Sequence, residues 1–495
     1  MGIDIGTSGV RAALFDIDGI QAGFCHKEYP SICEQPGRLE IDPETVFESM
    51  VEVAGRCAEN AGASKSDIRA VGFGTQMHSI MAVDKDWFPL TRVMTWADYR
   101  GSKEADFIKS NFDSNELYRR TGCRVEHPLY PISKILWLKN NSRDIYEKTQ
   151  KFVSIKEFIL HKLYGCDAID ITDASTTGCF NIYKRSWDEV ILKEVLGISR
   201  VRLGEAVECT HVLRHMKKEF AGAMGIDPDT PAASGSGDGI LANLGCGVFD
   251  DSSMSSTIGT SGALRIASGA PFLDPYQRTW CYCFTEDTWV AGGAISNAGI
   301  VLRWLRDEFR AQFEADAAAL GIKSLYSLFD RYASEIRPGS DGLVFIPYIL
   351  GERSPDWNVN AKGTIHGLTI SHGRKHLVRA AMEGVMFRMF SVYEVISAIN
   401  SNIKSIKANG GYANSEIWMQ IQADIFGKDI IVAGGGEASV LGAAYTGMAA
   451  VGAVPNMKTA LKGMFTGRVV KPVKENHELY MEIYRRAMEV YDMLK

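Results

Sequence analysis

Residues Ile5-Gly6-Thr7-Ser8-Gly9 recur as Ile258-Gly259-Thr260-Ser261-Gly262, about half of the 495-residue chain apart. Each phrase reads as a strand, a small-residue turn and a return strand, which is a β-hairpin. The tips Gly6-Thr7-Ser8 and Gly259-Thr260-Ser261 offer closely spaced N–H groups and hydroxyls with no bulky side chain in the way. That is what a phosphate chain needs of a protein backbone. Asp4 lies in the strand that delivers the first tip. A carboxylate there suits Mg²⁺, which takes few protein ligands and keeps waters and phosphate oxygens around it. Gly410-Gly411, between a strand and a helix, is a third point of close approach. Asp238 stands between Gly237 and Gly239 at the head of a helical run. It reads as a helix N-cap or as a general base, and the two roles can coexist.

Elements that would position these residues alternate along the chain. Ile68–Phe73 and Ile403–Ala408 are short apolar runs ending in glycine-containing turns, hence strands. Pro131–Leu138, Lys156–Leu163 and Ser415–Phe426 carry apolar residues at helical spacing. Strands interleaved with helices indicate an α/β fold, and the repeated hairpin phrase indicates a duplicated domain with matching tips facing one cleft. The expected division is an N-terminal domain over 1–245 and a C-terminal one over 246–495, joined through packed structure rather than a linker.

Composition removes several function classes. Apolar residues are 46% and charged ones 23%, which excludes a disordered chain. With 54 basic against 60 acidic residues the net charge is −6, a poor balance for binding nucleic acid. The ten cysteines are scattered without a C-x-x-C pair and read as apolar fillers in a reducing compartment. His211 and His215 have i, i+4 spacing among basic residues, which reads as a solvated helix face and not a metal site. The opening Met1-Gly2-Ile3-Asp4 lacks the features of a signal peptide, and Ala438–Met457 is too weakly apolar to span a bilayer. A cytoplasmic protein without membrane partners is expected. Gly72-Phe73-Gly74-Thr75-Gln76-Met77 lacks the third glycine of a dinucleotide fingerprint, and no G-x-x-x-x-G-K-[ST] occurs.

These motifs resemble the FGGY family of carbohydrate kinases, in the sugar-kinase, Hsp70 and actin superfamily, over nearly the whole chain. Gly2–Ser8 is similar to the superfamily's first phosphate loop, Ser256–Gly262 to its second, and Ala408–Ser415 to its adenosine loop. Gly74-Thr75-Gln76-Met77-His78 resembles the family's sugar-contacting turn, and Thr95-Trp96-Ala97-Asp98-Tyr99-Arg100 its W-x-D-x-R segment. Pro131–Leu138 is similar to its N-terminal signature, Gly351-Glu352-Arg353-Ser354-Pro355 to a loop of its second half, and Gly235-Ser236-Gly237-Asp238-Gly239 to its G-x-G-D turn. The chain departs from the pattern in having only three residues before Asp4, and Asn414-Ser415 where Arg-Ser is also common.

The resemblance implies two actin-like, ribonuclease H-like α/β domains flanking a deep cleft, with ATP and Mg²⁺ as cofactors and a sugar or sugar acid as acceptor. It implies Asp238 as the catalytic base. Gln76, Met77, His78, Trp96, Asp98 and Arg100 would contact the acceptor. Gly6, Thr7, Ser8, Gly259, Thr260, Ser261, Gly299, Gly410, Gly411 and Asn414 would contact the nucleotide, and Asp4 the metal. Thr95–Asp98 and His127–Pro131 look more like the gluconate-kinase branch than the xylulokinase branch. An acceptor carboxylate would then meet a cation, for which Arg100, Arg124, His127 and Lys134 are candidates. Xylulose or another polyol as acceptor, and an actin- or Hsp70-like ATPase switch, are the alternatives. A homodimer is compatible with the sequence.

Overall fold

The computed structural model of the protein describes residues 1–432, 437–455, 457 and 467–493. Its first half is built on strands β1 (Gly2–Ile5), β2 (Gly9–Phe15) and β3 (Gln21–Glu28). Helix α1 (Pro43–Asn60) follows, started by Asp42, whose carboxylate accepts from Thr45 N, and by Pro43 in its first turn. Its buried Val46, Met50, Val53 and Cys57 fall on one stripe, which seats the helix on the sheet. Among the further elements of this half, strand β4 (Val71–Thr75), helices α2 (Pro131–Asn141) and α3 (Ile155–Tyr164), strands β5 (Val212–Leu213) and β6 (Ala232–Gly237) and helix α4 (Asp238–Gly245) bear on the site.

The second half repeats the plan. Hairpin β7 (Ser253–Ile258) and β8 (Gly262–Ser268) is extended by β9 (Trp280–Thr285) and β10 (Thr288–Ile295). Helix α5 (Gly299–Glu308), the long buried α6 (Arg374–Ile399), strand β11 (Ser405–Asn409) and helix α7 (Glu416–Phe426) come next. Strand β12 (Asp429–Val432), helix α8 (Ala438–Ala450), strand β13 (Arg468–Val470) and helix α9 (Lys474–Met493) close it.

The sheets run β5-β6-β4-β1-β2-β3 and β9-β10-β8-β7-β11-β12-β13. In each, the central hairpin is antiparallel (β1 with β2, β7 with β8), and two parallel strands are added beside its first member. The shared order 3-2-1-4-6 and 10-8-7-11-12 is the duplication that the repeated phrase implied. Both tips, the Gln76–His78 turn, Asp238 and Gly410 follow the carboxyl ends of β1, β7, β4, β6 and β11. Ligands of open α/β sheets bind at that end.

One helix crosses between the halves. Helix α8 lies against β1, β4 and α4 so closely that a Cβ on Gly72 would stand 1.8 Å from Ala443 O, and one on Gly442 2.1 Å from Leu241 O. Part of the glycine surplus therefore goes into backbone contact rather than into turns.

Two local expectations shift. Strand β4 begins at Val71 rather than Ile68, because its partner β1 begins only at Gly2, opposite Gly72. His211 and His215 are not on a helix. They flank β5, whose Val212 and Leu213 pair with Ala233 and Ala232, and His215 turns outward at φ +59° to meet Asp229. Among the described residues no cluster of three metal-ligating side chains occurs, all ten cysteines are free, and no helix is long and apolar enough to cross a membrane.

Candidate active site

A cavity of about 690 Å³ opens between the sheets, walled by Asp4, Asp238, Gly259, Arg265 and Gly410. It continues through Gly259, Gly411 and Asn414 into a second space of about 480 Å³ bounded by Gly299, Tyr412 and Trp418. Of the expected nucleotide residues, Gly259, Gly299, Gly410, Gly411 and Asn414 line this connected channel, whereas Gly6, Thr7, Ser8, Thr260 and Ser261 are not on its walls. Gly410 takes φ +98° with its backbone against Ile258 O, a conformation that excludes a side chain.

The tips are held differently. Gly6 N closes the first turn onto Gly9 O at 2.9 Å, and Gly6 O accepts from Tyr29 OH at 2.5 Å. Thr7 Oγ1 donates to Gln76 Oε1 (3.0 Å) and accepts from Trp96 Nε1 (2.9 Å), while Ser8 is exposed. At the second tip Gly259 N bonds Ser261 O, and the first N–H groups of α5 bond its carbonyls: Gly299 N to Gly259 O (3.0 Å) and Ile300 N to Thr260 O (3.1 Å). A Cβ on Gly299 would lie 2.3 Å from Gly259 O.

Two carboxylates face the channel. Asp4 is buried; its Oδ2 accepts from Ser439 Oγ at 2.7 Å and lies 3.6 Å from Arg11 Nη1, whereas Oδ1 is buried without a partner. Burial raises its pKa, against the hydrogen bond from Ser439 and the charge of Arg11. Asp238 begins α4 as its first residue, with Gly237 at the cap position, and its Oδ1 accepts from Gly239 N at 2.6 Å. Burial first, and then the charge of Asp4, push its pKa up to about 7. The guanidinium of Arg265 opposes that rise and donates to Thr257 Oγ1 at 3.2 Å. Met77 packs along Gly237–Gly239, beneath Asp238.

Beyond Asp238 the acceptor side is aromatic. His78 sits at φ +64°, its Nε2 3.0 Å from Tyr282 OH and its ring edge-on to Tyr130. Burial, then the charges of Lys134 and Arg353, hold it neutral. Gln76 Nε2 donates to Gly6 O at 3.3 Å, which ties the acceptor turn to the first tip. Trp96 lies under the guanidinium of Arg353, 5.2 Å from its ring centre. Asp98 and Arg100 are placed otherwise. Asp98 is fully buried and binds Arg100 through both oxygens (2.8 and 2.7 Å), and Arg100 also donates to Glu40 and covers Trp137. In this conformation the pair braces the Trp96 segment.

The candidate cations for an acceptor carboxylate are occupied in the same way. Lys134 Nζ is buried and donates to the carbonyls of His78, Thr95 and Leu129, with its pKa lowered to about 7 by burial. Arg124 pairs with Glu126 at 2.9 Å. His127 is held neutral by burial, its pKa lowered to about 3.

Sequence reasoning overlooked Arg265, Tyr282 and Ser439. Arg265 had a signal: a lone arginine in the apolar strand Gly262–Ser268 is costly unless it serves a site. Tyr282 lay hidden between two cysteines of a strand that reads as core. Ser439 reaches Asp4 from the far end of the chain, which no local pattern announces.

Comparisons with known proteins give the family. Residues 1–245 match the N-terminal domain of the FGGY family of carbohydrate kinases and 254–451 its C-terminal domain. The chain belongs to the FGGY family of carbohydrate kinases. It is 38% identical over 455 residues to the gluconokinase of Bacillus subtilis, covering 92% of this chain and 88% of that one. Among solved structures it superposes on a gluconate kinase from Lactobacillus acidophilus with TM-score 0.91 at 30% identity, over 100% of this chain and 97% of the other. It also superposes on a ligand-bound xylulose kinase from the same organism, with TM-score 0.90, 30% identity and the same coverage. This FGGY kinase is therefore a carbohydrate kinase with ATP as phosphate donor, and the reading as an actin- or Hsp70-like switch falls away.

Proposed function

We propose that this kinase transfers the γ-phosphate of ATP to the terminal hydroxyl of D-gluconate, giving 6-phospho-D-gluconate. The substrate rests on one observation, the 38% identity over 92% of the chain to a protein named gluconokinase. The segments Thr95–Asp98 and His127–Pro131 point the same way.

Asp238 is the general base. It borders the channel between the tips and the aromatic acceptor wall, and a carboxylate near pKa 7 can take a proton without being too weak a base at neutral pH. The acceptor hydroxyl hydrogen-bonds to Asp238, gives up its proton there as its oxygen attacks the γ-phosphorus, and ADP leaves on the other side. Arg265 opposes the rise in that carboxylate's pKa and so favours its ionised form. The tips hold the phosphates in line through backbone N–H groups and hydroxyls. The unpartnered, buried Oδ1 of Asp4 fits a hydrated magnesium ion carried on the nucleotide, with Ser439 fixing the carboxylate. Such an ion supplies neutralisation of phosphate charge. Closure of the two halves over the channel would exclude water as a competing acceptor.

An ADP-release assay over D-gluconate, D-xylulose and glycerol tests the reading. D-Gluconate is expected to have the highest kcat/KM by at least tenfold; faster turnover of D-xylulose replaces it with the xylulokinase reading.

A further inference from the structure

Among the described residues Arg353, like Lys134, has no acidic side chain at ion-pair distance, and unlike Lys134 it is only half-buried and keeps part of its donor set unused. Arg100 is clasped by Asp98 and Glu40, Arg124 by Glu126, and Lys156, deeper in the same half, by Asp170 and Asp173. Lys134 spends its ammonium on three carbonyls. Arg265 serves Asp238 at the phosphoryl end. The Arg353 guanidinium makes only neutral bonds, Nη2 to Ile295 O at 3.0 Å and Nε to Ser296 Oγ at 3.3 Å, while its backbone N–H donates to Glu352 Oε1 at 2.8 Å. Its plane rests on Trp96, and Nη1 makes no hydrogen bond among the described residues. A half-buried guanidinium with no counterion carries a desolvation cost that an arriving anion would relieve.

A second group points to the same place. His127 is 6% exposed, and its Nδ1 accepts from Leu129 N at 3.1 Å, which puts the proton on Nε2. That Nε2 is buried and unpartnered. The His127 ring is flanked by Tyr99 and Trp357, and Trp357 N bonds to Arg353 O at 2.6 Å. His78 and Trp357, both at this wall, hold φ of +64° and +53°, and strain of that kind in non-glycine residues collects at binding sites. After burial, the charge of Arg353 is among the causes that lower the pKa of both histidines, which places the guanidinium close to both.

We infer that Arg353 receives the carboxylate of a sugar-acid acceptor, with the Nε2–H of His127 as second donor, and so sets acid against neutral polyol. The inference rests on the gluconate reading and names the residue behind it. Arginine suits the role, since its fork meets a carboxylate through two parallel hydrogen bonds while its face stacks on an indole.

The test compares wild type, R353Q and R353K in steady-state phosphorylation of D-gluconate, and in calorimetric binding of D-gluconate and D-glucitol with a non-hydrolysable ATP analogue present. D-Glucitol differs from D-gluconate only in bearing CH₂OH in place of the carboxylate. For R353Q the kcat/KM for D-gluconate should fall about 100-fold, mostly through KM, and the gluconate-to-glucitol affinity ratio should collapse towards one. R353K should recover part of both, because it keeps the charge and loses the fork. A KM for D-gluconate within threefold of wild type in R353Q, or an equal loss for both ligands in R353Q and R353K, overturns the assignment. If R353Q does not fold, judged by its melting curve with ADP, the R353K affinity ratio decides alone: an unchanged ratio overturns the assignment. Wild-type preference for D-xylulose or D-glucitol sinks the gluconate reading and this inference together, whereas wild-type preference for D-gluconate with an unaltered ratio in the variants sinks only the inference.

Discussion

The two Ile-Gly-Thr-Ser-Gly tips have one sequence and two kinds of anchor. The first is tied to the acceptor side: its threonine hydroxyl joins Gln76 to Trp96, and its glycine carbonyl holds Gln76 and Tyr29. The second is tied to the nucleotide side by the opening N–H groups of helix Gly299–Glu308. Under the proposed function a duplicated motif is thus divided between two ligands by what packs behind it. The phosphate-facing surface can stay the same while the support decides which partner senses its position.

In the proposed mechanism both tips serve the base Asp238, and its loss should have the largest effect. D238N should lower kcat by about 10³-fold or more with both KM values within a few fold. In wild type, protonation of Asp238 removes the base, so kcat/KM should fall about tenfold per pH unit below about pH 7 and level off above it. The residual activity of D238N should lack that limb, and a D238N profile with the same limb assigns it elsewhere. A middle-sized effect is expected at the second tip. In G299A the added methyl meets Gly259 O at 2.3 Å, so the tip must move. The KM for ATP should rise roughly tenfold with the acceptor KM little changed, a split read from initial rates with each substrate varied in turn. The smallest effect belongs to the first tip. T7V removes the bridge between Gln76 and Trp96, worth about 1 kcal/mol, and should raise the acceptor KM about fivefold. If G299A and T7V raise the same KM, the division between the tips is wrong.

Much of this could be read from the chain because it depends on local pattern. Both hairpins, helix Pro131–Asn141 and helix Glu416–Phe426, capped by Ser415, lie where periodicity and glycine put them. The tip turns and the helix start at Asp238 are legible because small residues at fixed spacing mark tight turns between strands and before helices. What failed locally failed for lack of partners in view. Two histidines four apart looked helical, but Ala232 and Ala233 claim the residues between them as a strand edge. The engagement of Asp98 with Arg100 and Glu40 has no signature either, because Glu40 stands 60 residues from Arg100 and reaches it only after folding. The unpaired state of Arg353 is likewise a property of the assembled wall.

The Ser439–Asp4 hydrogen bond spans 435 positions and comes from a helix that fills a face of the first sheet. During synthesis, then, the N-terminal half leaves the ribosome with Gly72 uncovered and Asp4 unoriented, and it stays so until residues around 450 have been made. Domains of a nascent chain generally fold as units, N-terminal first. Here the helix that covers one face of the first domain is supplied by its twin. Truncation after strand Ser405–Asn409 would therefore leave the first half whole in sequence yet without the hydrogen bond that fixes its own buried carboxylate.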